Sequence, residues 1–173
     1  MRTSSRLLLL ATAPILCTAA AETARRAPEF QMLRPGAAPL SFSRYRGKIL
    51  AVAFIDTGCT HCQELTKILT AIARAYGPRG VQVLECAFNE QAAQTLPEFI
   101  KQFQPPFPVG YAFRAGVLSF LKYSILDTRP VYVPHMVFID RRGIIRADYA
   151  GEDHFFQKPD ANIRGELEKL LKR

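Results

Sequence analysis

Two cysteines separated by two residues, Cys59 and Cys62, are the residues of this sequence whose type and spacing best suit chemistry. They end the stretch AVAFIDTGCTHC, directly after a hydrophobic run, and His61 lies between them. Cysteines at this spacing can exchange a disulfide through their thiolates, or they can supply half of a tetrahedral zinc site. The pair therefore predicts redox or metal chemistry at one point of the chain.

A zinc site would need two further ligands, and the sequence has neither a second C-x-x-C nor an H-x-x-x-H pattern. The remaining candidate ligands are scattered along the chain: Cys86, His135 and His154. Redox chemistry is therefore the favoured interpretation, and we expect neither a metal nor a cofactor.

The elements around the pair predict how it is positioned. The preceding run ILAVAFI is uniformly apolar and of strand length, which is typical of a central strand covered on both faces. Large side chains then recur at helical spacing until Gly77-Pro78 ends the pattern: Leu65, Ile68, Leu69, Ile72 and Tyr76. The cysteines thus lie where a strand gives way to the N-terminus of a helix.

This position predicts a division of labour between the two thiols. A helix N-terminus presents unpaired N–H groups and a partial positive charge, which stabilise a thiolate. Cys59 is expected to be the exposed nucleophile, and Cys62, one turn further on and partly shielded, is expected to resolve the mixed disulfide. A protonated His61 would favour the thiolate further; alternatively, His61 is only an exposed residue at a helix start.

The rest of the chain predicts an α/β domain. We expect a second strand in VQVLECAF, a helix over 97–103, a short strand after QPPFP and a helix over 114–123. MVFIDRRGIIRADYAG is typical of two strands joined by a turn, and IRGELEKLLK of a closing amphipathic helix. Residues 22 to 48 predict an N-terminal arm or hairpin, with candidate strands in FQML and LSFSRY.

The first 21 residues have the layout of a secretory signal. Arg2 and Arg6 precede an apolar run from Leu7 to Leu16, and Ala19 and Ala21 fit an A-x-A cleavage site. The run is shorter than the ~20 residues that a membrane-spanning helix needs. We therefore predict a signal peptide over 1–21 and one domain over 22–173, located in the periplasm or secreted. A membrane-anchored form and a lipoprotein modified at Cys17 are alternatives.

Composition limits the partners. Cleavage would leave 21 basic and 15 acidic residues, a balance of +6, and the basic residues are scattered along the sequence. Solvated faces explain such a pattern, so we expect no nucleic-acid partner. Three cysteines would remain after cleavage, which is too few for a disulfide scaffold, and Cys86 is expected to be a small buried residue.

The order of LSFSRYRGKILAVAFIDTGCTHC, FPVGY and VPHMVFIDRRGIIRADYAG resembles the TlpA/ResA-like thiol-disulfide oxidoreductases of the thioredoxin-like superfamily. The resemblance implies a thioredoxin-like fold, with a central mixed sheet flanked by helices. It also implies that Cys59 attacks, that Cys62 resolves and that Pro134 is a cis proline facing the pair. The Val133 backbone and Thr60 would then contact the substrate.

The sequence departs from the family pattern at the acids that assist proton transfer. Leu65 stands where the family carries an acid three residues after the second cysteine, and Glu64 lies one position earlier. The buried aspartate of thioredoxin falls at Ala53. Glu85, on the second predicted strand, is therefore a candidate for proton transfer from beneath the pair, and Glu64 is another.

The predicted function is disulfide exchange with thiol- or disulfide-bearing protein substrates by an exported monomer, with a membrane thiol carrier as a candidate electron donor. The sequence does not indicate the direction of exchange. Copper delivery through the cysteine pair and His135 is one alternative, although such proteins typically space the cysteines by three residues. A peroxidase of the peroxiredoxin type is another, although its P-x-x-x-T-x-x-C signature fits neither Cys59 nor Cys62.

Overall fold

A computed structural model describes residues 24–124, 126 and 130–173. The predicted signal peptide and Cys17 lie outside these residues. None of the helices within the described ranges has the length and apolar character needed to cross a membrane.

One eight-stranded mixed sheet organises the chain, in the order β1-β8-β7-β4-β5-β6-β2-β3. Its central strand, β4 (Ile49–Ile55), pairs in parallel with β5 (Val81–Ala87) and antiparallel with β7 (His135–Ile139). Beyond these lie β6 (Val109–Tyr111), parallel to β5, and β8 (Ile144–Tyr149), antiparallel to β7. All seven residues of β4 are buried, as its uninterrupted apolar run predicts.

The N-terminal segment extends both edges of this sheet. β2 (Gln31–Arg34) and β3 (Ala37–Ser41) form the predicted hairpin beyond β6, and β1 (Arg25–Arg26) pairs with β8. The second predicted strand, LSFSRY, is only partly a strand, because a 3₁₀ turn, Phe42–Tyr45, begins after Ser41. The Ser41 hydroxyl accepts a hydrogen bond from the backbone N–H of Ser43, which caps that turn.

Four α-helices cover the two faces of the sheet: α1 (Thr60–Tyr76), α2 (Ala92–Phe103), α3 (Arg114–Phe120) and α4 (Pro159–Leu171). The face covered by α1, α2 and α4 is called the α1 face here, and the opposite one, covered by α3 and the N-terminal segment, the α3 face. Helix α3 ends three residues earlier than predicted, before Lys122, whose φ of 60° is left-handed and cannot continue a helix.

The alternation of β4 divides the core between these faces. Ala51, Ala53 and Ile55 point into the α1 face, whereas Val52 and Phe54 point into the α3 face. Aromatic rings fill the α3 face, with centroids 4.9 to 5.9 Å apart: Phe30, Phe42, Phe54 and Phe120. The architecture confirms the predicted α/β fold with a central mixed sheet flanked by helices.

Strand direction decides where the cysteine pair lies. The parallel strands β4, β5 and β6 all end at one end of the sheet, and the antiparallel β7 begins there. This end, called the cysteine end, brings the loop before Cys59 and the segment before His135 together.

Candidate active site

Cys59 occupies the N-cap position of α1, with an extended backbone (φ −78°, ψ 119°) and a half-exposed side chain. Its N–H donates to the Asp56 carbonyl at 3.1 Å, and its own carbonyl accepts from the Gln63 N–H at 3.0 Å. The Asp56 carboxylate accepts from the Gly58 N–H at 2.8 Å and so shapes the loop. These contacts fix the Cys59 side chain beside the free N–H groups of the first helical turn.

A second set of hydrogen bonds, which the sequence did not indicate, ties this loop to the neighbouring strand and helix. Asn89 Oδ1, just after β5, accepts from the Thr57 N–H at 3.2 Å, and the Thr57 and Thr95 hydroxyls lie 2.7 Å apart. Gln63 Nε2 donates to the Thr57 carbonyl at 3.0 Å. The cysteine loop is therefore braced from three directions, which limits the motion of Cys59.

Cys62 lies three residues into the same turn and is completely buried, rather than partly shielded as predicted. Burial raises the pKa of its thiol well above the usual value, and the neighbouring Cys59 raises it further. The Cys62 thiol therefore stays protonated at neutral pH. Both sulfurs are present as free thiols, with Cys59 the accessible one.

Glu85 lies beneath α1, completely buried on the α1 face. It pairs in register with Ala53 on β4, so the acid is one strand away from the position at which thioredoxin carries its buried aspartate. The Thr66 hydroxyl connects it to the cysteine turn, at 2.9 Å from Glu85 Oε1 and 3.0 Å from the Cys62 carbonyl oxygen. Thr66 is the site residue that sequence reasoning missed, although a threonine four residues after Cys62 on a buried helical stripe was its signal.

The two hydrogen bonds of the Thr66 hydroxyl indicate that the Glu85 carboxyl is neutral. One hydroxyl has a single proton and cannot donate to both Cys62 and Glu85. A protonated carboxyl resolves this, because it donates to Thr66 while Thr66 donates to the Cys62 carbonyl. Burial raises the pKa of Glu85 to about 8, which agrees with that arrangement, and its Oε2 atom has no hydrogen-bond partner within the described part of the chain.

The other predicted residues near the pair lie on the surface. Thr60 and His61 are both exposed at the start of α1. Glu64 is also exposed and forms an ion pair with Lys67 Nζ at 2.6 Å, so the structure does not bring it to Cys62. Of the two candidate acids, only Glu85 is joined to the cysteine turn by hydrogen bonds.

The Val133–Pro134 peptide bond is cis, as predicted. Together with His61 these two residues line a cleft of about 390 Å³ at the cysteine end of the sheet. Other side chains of its lining are Leu65, Ile68, Phe156, Glu64, Glu152 and His154. Gly151 packs against this segment so closely that a Cβ atom there would lie 2.8 Å from the Val133 carbonyl oxygen. The cleft adjoins the cysteine turn through His61, although neither Cys59 nor Cys62 lines it.

The copper interpretation required His135 to join the cysteines, and the structure separates them. His135 alternates with Met136 along β7 and faces the α3 side, whereas Cys62 packs into the α1 face. Across residues 24–124, 126 and 130–173, no three His, Cys, Asp or Glu side chains converge as a metal site. Cys86 is buried on the α3 face, as predicted for a packing residue.

Solved structures confirm the thioredoxin-like fold. A thioredoxin-family thiol:disulfide interchange protein from Chlorobium tepidum superposes with a TM-score of 0.68 at 22% identity, covering 86% of this chain and 97% of that one. The thioredoxin domain of a thiol-disulfide oxidoreductase from Bacteroides vulgatus gives 0.65 at 18% identity, covering 84% and 95%. A thiol:disulfide interchange protein from a Bacteroides species gives 0.68 at 19% identity, covering 87% and 91%.

Sequence comparison identifies the family. No curated protein matches the chain at a significant level. The family model described as AhpC/TSA matches residues 23–148, a span that includes the cysteine loop, Glu85 and the cis-proline segment. This match covers most of the chain and agrees with the fold, so the protein belongs to the AhpC/TSA family.

Proposed function

We propose that this chain is an exported thiol-disulfide oxidoreductase that exchanges disulfides with protein substrates through Cys59 and Cys62. The observation that carries the proposal is the contrast within one helical turn: a half-exposed thiol at the N-cap and a fully buried thiol beside it. The cleft lined by Val133, Pro134 and apolar side chains supports a polypeptide substrate, because it offers a concave surface at the end of the sheet where the cysteine turn lies.

In the reducing direction, the Cys59 thiolate attacks one sulfur of the substrate disulfide. The substrate S–S bond breaks, the Cys59–substrate bond forms, and the other substrate sulfur leaves as a thiolate that takes up a proton. Cys62 then loses its proton and attacks the Cys59 sulfur, which forms the Cys59–Cys62 disulfide and releases the second substrate thiol. The oxidising direction is the same sequence in reverse.

The second step has to overcome the raised pKa of Cys62, and Glu85 is our candidate to take up its proton in those molecules whose carboxyl is ionised. In the oxidising direction the neutral carboxyl would return that proton to the departing Cys62 thiolate. Glu85 makes no hydrogen bond to the Cys62 thiol among the described residues, so transfer would pass through a water molecule or a small shift of the turn. Its pKa of about 8 suits a group that exchanges protons near neutral pH. Thr66 would keep the carboxyl aimed at the turn.

The apolar segment Leu7–Leu16 and the A-x-A pattern support export to the periplasm or beyond the cell. An oxidising compartment would supply disulfide-bearing protein substrates, and a membrane thiol carrier would return electrons to a reductase. We propose that the domain acts as a monomer.

Trapping of mixed disulfides tests the proposal. Cys62→Ser should accumulate covalent complexes with a disulfide-bearing test protein such as insulin, because the thiol that would release them is gone and Cys86 is buried on the other face. Cys59→Ser should accumulate few, because its remaining Cys62 is buried. Equal trapping by both variants would contradict the assigned roles, and no trapping by either would contradict protein disulfide exchange altogether.

The same variants distinguish the peroxidase alternative. A peroxidase would consume hydrogen peroxide in a Cys59-dependent reaction faster than it reduces the test protein. We expect the opposite order, because neither cysteine has the threonine and proline offsets of the peroxidase signature.

A further inference from the structure

Cationic side chains from separate segments of the sequence lie close together in the fold. A cleft of about 140 Å³ lies at the end of the sheet opposite Cys59, where β4 begins and β7 ends. Five cationic side chains line it, contributed by separate segments of the chain: Arg26, Arg46, Lys48, Arg141 and Arg142. All five are exposed, and this site is called the basic cleft here.

Neighbouring acids compensate only a small part of this positive charge. None of the five side chains forms an ion pair or side-chain hydrogen bond with another described residue. The two acids of the lining are already engaged. Glu29 accepts a hydrogen bond from Ser41, while Asp140 accepts from the Arg142 and Ile144 N–H groups and pairs with Arg146 at 2.7 Å. The basic cleft is therefore a concave surface with a net positive charge, of which Glu29 offsets a part through its attraction to Arg46.

Exposed guanidinium and ammonium groups around a small concavity suit phosphate groups. The position of the N-terminus favours phosphates on a membrane over free ones. Arg26 belongs to β1, and the apolar segment Leu7–Leu16 ends only eight residues before Ala24, where the described chain begins. Eight extended residues reach at most about 28 Å. In the membrane-anchored form, in which Leu7–Leu16 is not cleaved, this segment would keep the basic cleft close to the lipid headgroups.

We propose that the basic cleft docks this domain on the surface of an anionic membrane by binding phosphate headgroups. The inference is independent of the redox proposal. Lys48 precedes β4 and Cys59 follows it, and seven strand residues separate the two ends by roughly 23 Å. Docking through the basic cleft therefore leaves Cys59 and its cleft facing away from the lipid, open to protein partners.

Vesicle flotation of the full chain tests this proposal. Phosphatidylcholine vesicles measure the contribution of the apolar segment alone, and phosphatidylglycerol vesicles add the negative charge. We expect tighter binding to phosphatidylglycerol, with the difference falling as salt rises. The double variant Arg141→Glu/Arg142→Glu should weaken binding to phosphatidylglycerol by roughly tenfold or more while leaving binding to phosphatidylcholine unchanged.

The matched control is Arg74→Glu/Lys101→Glu, which makes the same change in net charge at exposed positions of α1 and α2. It should retain most of the preference for phosphatidylglycerol. Equal binding to both vesicles, or an equal loss in the control, would overturn the proposal. Displacement from vesicles by inorganic phosphate would indicate a soluble phosphate ligand instead, and tighter binding to duplex DNA than to vesicles would indicate a nucleic-acid surface; either result also overturns it.

Discussion

Each face of the sheet holds a buried cysteine and a buried acid or histidine, but the two faces differ in what surrounds these residues. On the α1 face, Cys62 and Glu85 are joined through Thr66. On the α3 face, Cys86 lies in an apolar and aromatic core. His135 is buried near the charged Asp148, but both of its ring nitrogens have no hydrogen-bond partner among the described residues.

The difference teaches that burial alone does not identify a redox cysteine. Burial raises the pKa of both Cys62 and Cys86 well above the usual thiol value. Only Cys62 shares a helical turn with an accessible thiol, and only its face provides a polar route from the turn to a buried acid. We therefore expect chemistry on the α1 face and packing on the α3 face.

The largest expected effect is the contrast in turnover between serine substitutions at the two buried cysteines. Cys62→Ser should strongly reduce the turnover of disulfide reduction, because each mixed disulfide then has to be cleaved by dithiothreitol instead of by a thiol of the protein. Cys86→Ser should leave turnover close to that of the wild type, with its effect confined to stability. Steady-state reduction of insulin by dithiothreitol with each variant checks this contrast, and a comparable loss in Cys86→Ser would break it.

Glu85 predicts a specific pH dependence of stability. Its pKa rises from 4.5 to about 8 on folding, so the folded protein binds the proton more tightly. The free energy of unfolding should therefore fall as pH rises between these values, by at most about 1.4 kcal/mol per pH unit. Glu85→Gln should flatten this slope in denaturant titrations. A slope that persists unchanged would mean that Glu85 is not the group responsible.

His135 should give a smaller pH dependence of stability than Glu85, and of opposite sign. Burial lowers its pKa, against the attraction of Asp148 and Glu152 and with the help of Arg25. Asp148 Oδ1 lies 3.9 Å from His135 Nε2, too far for a hydrogen bond. The stability that depends on a neutral His135 is thus lost as pH falls below its ordinary pKa of 6.5. His135→Leu should reduce this acid-side loss, and an unchanged loss in the same titrations would contradict the account.

The smallest expected effect concerns His61, which is exposed beside the pair. If its imidazolium favours the Cys59 thiolate, His61→Ala should make the disulfide couple more reducing. We expect a shift on the order of 30 mV, or about 1.4 kcal/mol, because water screens the interaction. A glutathione redox titration measures it, with Thr60→Ala as the control at the adjacent exposed position. Equal potentials for the two variants would make His61 a bystander.

The sequence predicted those features that depend on local pattern. Helical spacing after Cys62 and the apolar run of β4 indicated the strand-turn-helix unit, and the motif resemblance indicated the cis bond at Pro134. The two-residue strand β1 was missed because it is too short to show any alternation.

Features that depend on the three-dimensional fold were only partly predictable. Glu85 was recognised as a candidate, but its link through Thr66 depends on the packing of α1 against β5. The basic cleft could not be predicted, because its five cations come from segments that only the sheet topology brings together. The sequence offered His135 as a copper ligand in an alternative interpretation, and it could not show that His135 faces away from Cys62, because the face depends on the register of β7.

Peptide mapping of the chain across a glutathione redox titration tests the central claim most directly. At each potential, free thiols are alkylated and disulfide-linked peptides are identified by mass spectrometry. The account predicts one reversible link, Cys59 to Cys62, with Cys86 alkylated under denaturing conditions at every potential. A link that includes Cys86, or the absence of a Cys59–Cys62 link even at the most oxidising potential, would contradict it.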